Sequence, residues 1–257
     1  MILKNYSITL PSYSIGDNVY SKIGEICEPY GKKVICIGGK TAISKVRDLI
    51  INECNGTSLE ILDFLWYGGD ATYENVNTLK ENELVKKADI IFGIGGGKAL
   101  DTAKALAYIT NKEIFTFPTI ASNCAGTTAV SIMYNADGSF KEPFFFTSPA
   151  RHCFIYTPVI AKSPAKYMWA GIGDTYAKYF EAEMSSRGED LVHYHALGVT
   201  TSQMCLTPLL KYGKKALDDF KSGTASFEVE QVVLGIIVTT GIASILLTNE
   251  HIIDYNT

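Results

Sequence analysis

An apolar run beginning at Ala88, ADIIFGIG, passes without a linker into Gly95-Gly96-Gly97-Lys98 and then into a segment with helical spacing that reaches Thr110. Strand, glycine turn and helix in that order form a βα unit whose turn can admit an anion. Side chains at the turn would keep a pyrophosphate from the backbone N–H groups at the helix N-terminus, where the dipole is positive and the first donors have no partner. Lys98 adds a point charge. Asp101, one helical turn on, is expected on the same side, to hold a ligand hydroxyl or to cap the turn. The spacing is neither G-x-x-x-x-G-K-[ST] nor a clean G-x-G-x-x-G, which argues against a plain P-loop ATPase. Glycines that only let a strand pack closely on a helix are the competing reading of the same residues.

The alternation around this turn is regular. Residues 33–39 (KVICIGG) form a β-branched run ending in glycines, and residues 41–53 follow with amphipathic spacing. Residues 58–66 predict a second strand, 73–87 a second helix, 89–94 a third strand, 98–110 a third helix and 113–117 a fourth strand. Such alternation implies an α/β fold with a parallel sheet and helices on both faces, in which nucleotides bind at the carboxyl ends of the strands. Residues 130–135 and 151–157 are further strand candidates, and the Asp137-Gly138 turn signal leads us to expect a hairpin appended to the sheet. Beyond Pro158 the pattern turns helical, over 167–186, 191–212, 214–221 and 227–247. The expected division is an α/β dinucleotide-binding domain over 1–160 and a helical domain over 161–257.

Composition excludes several classes. The 257 residues are 47% hydrophobic and 19% charged, enough for a sizeable core, and a net charge of −4 with scattered Lys and Arg gives no basic field for nucleic acid. The six cysteines (Cys27, Cys36, Cys54, Cys124, Cys153, Cys205) contain no C-x-x-C pair and predict reduced thiols. The first ten residues lack an apolar leader core, so a cytoplasmic location is expected. Residues 232–247 form the longest apolar stretch, but it falls short of the roughly 20 residues that span a bilayer, so we expect a buried helix and no membrane partner.

Three motifs in order, Gly95-Gly96-Gly97-Lys98-x-x-Asp101-x-x-Lys104, Pro118-Thr119-Ile120-Ala121-Ser122 and Ala170-Gly171-Ile172-Gly173-Asp174, resemble the iron-containing, or group III, alcohol dehydrogenases of the glycerol dehydrogenase branch. The resemblance implies a Rossmann-like parallel-sheet domain followed by an all-helical, dehydroquinate synthase-like domain. It also implies NAD- or NADP-dependent oxidation of a small alcohol or polyol at a divalent metal, zinc or iron, in a homo-oligomer. Carried over by position, it puts the pyrophosphate on Gly95, Gly96, Gly97 and Lys98 and places Asp101 toward the nicotinamide ribose. Thr119, Ser122, Thr128, Val130 and Tyr134 match positions that touch the cofactor, and Asp174 matches the first metal ligand. A hard carboxylate oxygen on a helix behind the Gly-Ile-Gly turn suits that role.

Three departures stand against this pattern. Gly38-Gly39-Lys40 occupies the place where the family often has an acid for the adenosine ribose, so Gly39 and Lys40 join the cofactor set and admit NADP. Cys124 replaces an acid that helps to hold the polyol; it is a catalytic candidate as a soft thiol beside the site, against a plain packed side chain. The resemblance also implies two histidines on later helices to complete the metal shell, whereas this sequence stops at Thr257, so the helical part is expected to be incomplete. His251 is the one candidate stand-in ligand, since His193 and His195, two apart on a predicted helix, point to different faces and His152 starts a strand. With the later helices missing, the apolar face of 232–247 is expected to lie uncovered. Two alternatives accompany the dehydrogenase reading. One is a catalytically impaired dinucleotide-binding protein. The other is an sn-glycerol-1-phosphate dehydrogenase-like enzyme, for which only Lys162, Lys166 and Arg151 offer phosphate ligands.

Overall fold

The computed structural model describes residues 5–248 and 253–254 of the chain. Strands β1 (Tyr6–Ser7) and β2 (Tyr13–Gly16) come first, then helix α1 (Ile23–Cys27) and the βα succession β3 (Lys33–Gly38), α2 (Lys40–Cys54), β4 (Glu60–Trp66), α3 (Tyr73–Lys80), α4 (Glu83–Lys87), β5 (Ile90–Gly95), α5 (Gly97–Thr110) and β6 (Glu113–Pro118). Strands β7 (Val130–Tyr134), β8 (Phe140–Phe145) and β9 (His152–Tyr156) follow. The chain is then helical through α6 (Thr157–Ala161), α7 (Ala165–Ser185) and α8 (His193–Lys221) to α9 (Phe227–Leu234) and α10 (Thr240–Leu247). Strand β10 (Ile253–Asp254) pairs antiparallel with β1.

The main sheet has the order β2-β9-β6-β5-β3-β4, and every pairing in it is parallel. β5 is buried along its whole length, as a central strand covered by helices on both faces should be. Phe92, Phe115, Phe117 and Phe154 stack through the middle, with Phe117 and Phe154 rings 4.9 Å apart. Gly93 lets α5 lie directly on the strand, because a Cβ there would come within 2.9 Å of Ala103 Cβ. The predicted helix over 73–87 is two helices: Asn82 accepts from the N–H groups of Leu84 and Val85 and so starts α4 afresh.

The hairpin differs from expectation. β7 pairs with β8 across the Asp137-Gly138 turn, not with residues 151–157, and those residues form β9 inside the main sheet between β2 and β6. β2, which has no clear pattern of its own, is held to β9 by backbone pairing and by His152, whose ring nitrogens lie 2.7 Å from Ser12 Oγ and 2.9 Å from Ser14 Oγ. A neutral imidazole satisfies both contacts, one nitrogen donating and the other accepting.

Burial lowers the His152 pKa to about 4, against about 6.5 for an unfolded histidine. The unfolded chain therefore binds the proton first, so this histidine's stabilisation is complete above pH 6.5 and is lost as pH falls toward 4. The loss reaches roughly 3 kcal/mol at the low end. Urea unfolding at pH 7 and pH 4.5 should show a larger acid loss in the native sequence than in His152→Gln, and equal losses would remove His152 from the account.

The helical part packs on its own core and on the sheet. Cys153, Ile155 and Ala121 share a cluster with Met168, Phe220, Val232, Val233, Ile236 and Ile237. α8 is one helix rather than the two expected, and it continues through Pro208 and Gly213. Its buried residues, Gly198, Ser202, Cys205, Leu209, Gly213, Ala216 and Phe220, recur at three- and four-residue intervals, so Gly213 belongs to the packed stripe.

The most apolar segment is also covered, contrary to the expectation of an exposed face. From Val229 to Leu246 its inward residues are buried, and α10 lies so close to α8 that a Cβ on Gly198 would be 2.9 Å from Leu247. By length and composition this helix passes for a membrane span, but it is the core of the helical part. A π turn spans Gly235–Thr239, and within it the Ile237 carbonyl accepts a hydrogen bond from Thr127 Oγ1. Exposed apolar side chains lie instead on α7 (Trp169, Tyr176, Phe180, Met184) and on α8 (Met204, Leu210).

Candidate functional site

The glycine turn sits at the carboxyl end of central strand β5. Gly95 has φ +144°, a conformation that L side chains rarely adopt, and a Cβ there would lie 2.9 Å from Ala99 Cβ. Gly96 is the N-cap of α5 and offers no side chain, so the first N–H groups of the helix are left to a ligand. The Thr119 N–H donates to the Gly95 carbonyl at 3.1 Å, which fixes the loop after β6 against the turn. A cavity of about 550 Å³ opens here, lined by Gly96, Thr119 and Ile120, by Thr41 and Lys45 of α2, and by Tyr156, Lys162, Ser163 and Tyr167 on the helical side.

Lys98 reaches back across the turn. Its Nζ is 2.6 Å from Asp70 Oδ2 and lies over the Tyr134 ring, 4.6 Å from the centroid. Asp70, in the Gly68-Gly69-Asp70 turn after β4, belongs to the site and is not legible in the sequence; its only signal is a glycine-rich turn at a strand's carboxyl end. Tyr134 lies beside the turn, under the Lys98 ammonium.

Asp101 behaves differently from expectation. It is buried, its carboxylate is 3.0 Å from the buried Lys104 Nζ, and it accepts from the Ile132 N–H at 3.3 Å. Burial raises its pKa, and the Lys104 ammonium pulls it back. A carboxylate so engaged is a fastener between α5 and β7, not a free acceptor for a ribose. Lys104, the last residue of the first motif, also donates to Thr128 Oγ1 at 3.1 Å and to the Val130 carbonyl at 2.5 Å. Two of the expected cofactor positions are thus held by a lysine that sequence reading left without a role.

Asp174 lies near enough to Cys124 for its charge to act on the thiol, and neither residue lines the cavity. α7 carries Asp174 and, one turn on, Lys178, which pairs with Glu181 at 2.6 Å. α7 approaches the loop after β6 so closely that a Cβ on Gly171 would fall 2.4 Å from the Ala121 carbonyl oxygen. Desolvation raises the Asp174 pKa, with Lys178 opposing. Desolvation, reinforced by the Asp174 charge, pushes the Cys124 thiol up to about 12. A nucleophilic cysteine acts as the thiolate, so this burial disfavours that role for Cys124. Ser122 lies between Thr119 and Cys124 on the same loop, half-buried. His251 lies outside the described residues.

Among the described residues no group of three His, Cys, Asp or Glu side chains converges to hold a metal ion. Asp174 and Cys124 by themselves supply fewer than the three protein donors that a zinc site takes.

A parallel sheet with a glycine turn at its central carboxyl end, covered by a helical part that carries Asp174, defines a Rossmann-like α/β architecture. The sequence profile described as "Iron-containing alcohol dehydrogenase" matches residues 11–154, more than half of the chain, and the chain belongs to that family. Over 225 residues it is 27% identical to a glycerol dehydrogenase of Escherichia coli O6:H1, which covers 86% of this chain and 61% of that relative. It is 34% identical over 171 residues to a glycerol dehydrogenase of Thermotoga maritima, covering 65% of this chain and 47% of the relative. The crystal structure of glycerol dehydrogenase from Schizosaccharomyces pombe superposes with a TM-score of 0.84 at 24% identity, covering 94% of this chain and 62% of that one. The chain thus spans about half to three fifths of the length of these relatives.

Proposed function

We propose that this chain binds NAD(P)(H) for an alcohol or polyol dehydrogenase, with a small polyol as the substrate class. The observation that carries the reading is the cavity at the Gly95-Gly96-Gly97 turn, which joins an anion cradle to Thr119 and to the helical wall. The relatives named glycerol dehydrogenase support the substrate class. In this reading the α5 N–H groups and Lys98 hold the pyrophosphate, and Lys98 exchanges Asp70 for it. The loop from Thr119 to Cys124 and the β7 strand held by Lys104 form the wall against which the nicotinamide is oriented. Fixing that ring relative to a carbinol carbon is the protein's contribution to hydride transfer. The 1–160 segment supplies the dinucleotide domain, and Asp174 faces it from the helical one as the family's metal-side carboxylate.

Fluorescence titration with NADH and NADPH, alongside elemental analysis of the same sample, tests this. Saturable dinucleotide binding with zinc and iron well below one per chain is the expected result, because the described donors do not form a metal centre. No dinucleotide binding at millimolar concentration would overturn the reading.

A further inference from the structure

Helix α7 is apolar on two sides. Met168, Gly171, Thr175 and Ala182 are buried, and Met168 belongs to the core of the helical part. Trp169, Tyr176, Phe180 and Met184 recur at helical spacing on the outward side and are all exposed, Trp169 by 69% and Met184 by 62%. The Tyr176 and Phe180 rings lie 5.1 Å apart and form one ledge. Between these large side chains stand Ala170, Gly173 and Ala177, also exposed. Asp174 and Lys178 lie about a third of a turn away around the helix axis, so the apolar face is distinct from the side that carries the carboxylate.

The contacts of the chain give no reason for Gly173. A Cβ there would meet nothing within 4 Å, its backbone is ordinary helix, and glycine inside a helix costs about 1 kcal/mol against alanine. A bare, open position midway along an apolar face is where a second backbone can approach. The residues around it match one another in pairs: Trp169 lies four before Gly173 and Ala177 four after, while Ala170 lies three before and Tyr176 three after. Two copies of α7 crossing antiparallel at Gly173 would seat Trp169 of each on Ala177 of the other, and Tyr176 on Ala170, large against small. The charges agree. From Thr157 to Gly173 the only charged side chains are Lys162 and Lys166, whereas beyond Phe180 come Glu181, Glu183, Glu189 and Asp190 against Arg187. An antiparallel pair sets the basic end of each helix beside the acidic end of the other, and a parallel pair would set like beside like.

We propose that the outward face of α7 is a self-association surface, occupied by the same face of a second copy of this chain in an antiparallel two-fold pair centred on Gly173. Both the size match and the charge match are properties of the face against itself, which a second copy requires and an unrelated partner does not. An isologous contact of this kind closes on itself and stops at a dimer. The proposal is independent of the dinucleotide reading, since no residue of the glycine turn takes part. One helix pair covers less than the roughly 800 Å² per partner of a standard interface, so a reversible dimer of micromolar affinity is the expected strength.

Sedimentation equilibrium of the chain over about 1–200 μM should show a monomer–dimer transition. Gly173→Glu sets two carboxylates together at the two-fold axis and should raise the dissociation constant at least about 100-fold. The open space at its Cβ lets this variant fold, which helix content and a thermal melt check. Trp169→Ala should weaken the dimer about tenfold. Gly173→Cys, oxidised with copper phenanthroline, should give a disulfide-linked dimer above the background of the native sequence. Met184→Cys should not, because the two copies of that position would lie roughly 33 Å apart along the helices. A monomer across the whole concentration range overturns the proposal. A dimer that survives Gly173→Glu forms through another surface and overturns it as well.

Discussion

Replacing Lys104 with methionine is expected to lower the unfolding free energy by about 3–5 kcal/mol, because it leaves the Asp101 carboxylate buried without its counter-ion. Both side chains are almost fully enclosed, and Lys104 also donates to Thr128 and Val130, so one substitution removes those hydrogen bonds together with the ion pair. Urea unfolding measures the loss. Asp101→Asn combined with Lys104→Met should recover part of it, since the amide is neutral and no bare charge remains. The single variant should also weaken dinucleotide binding, because residues 128–130 are then released from α5. A Lys104→Met protein with native stability would show that the pair contributes nothing.

The second large effect concerns the turn itself. Gly96→Val should weaken NADH and NADPH binding by about 100-fold, through loss of the close approach to charge-assisted backbone donors. The cost to the fold should be smaller, roughly 1–3 kcal/mol, since the added carbons press only on the end of the Ile120 side chain, 2.5 Å from a Cβ. Gly96 already has extended dihedrals that valine adopts readily, φ −94° and ψ −172°. Fluorescence titration and a thermal melt on the same sample separate the two effects. Native affinity in this variant would mean that the turn is only a packing device, the competing reading that its sequence left open.

How much of this was legible beforehand follows the range of the interactions. β3, β5 and β6 with α2 and α5 were legible because an apolar run, a glycine turn and a helical period are each written within a few neighbouring residues. The glycine turn, Thr119, Tyr134 and the Asp174 helix could be placed from motifs alone, and the structure brings Tyr134 and Thr119 to the turn. β2 was missed: it has four residues, half-covered and without alternation, and its partner β9 is about 140 residues away. β8 was missed for a related reason, since FKEPFF is exposed over most of its length and carries Pro143, so only pairing with β7 makes it a strand. Gly213 suggested a break in α8, but it belongs to the packed stripe, whose burial outweighed local propensity.

The sequence by itself determined the α/β layer, the glycine turn after β5 and the family, because local periodicity and an ordered set of motifs leave few other solutions. Tertiary structure alone decided which charges are free to meet a ligand. Asp101 and Lys104 are three residues apart and look like an exposed helical pair, yet the β7 hairpin closes over them and turns both into internal fasteners. Lys45 and Lys162, unremarkable in sequence, both line one cavity and have no carboxylate partner among the described residues. Burial and pairing depend on where distant segments come to rest, and a charge in low dielectric is governed by its neighbours in space.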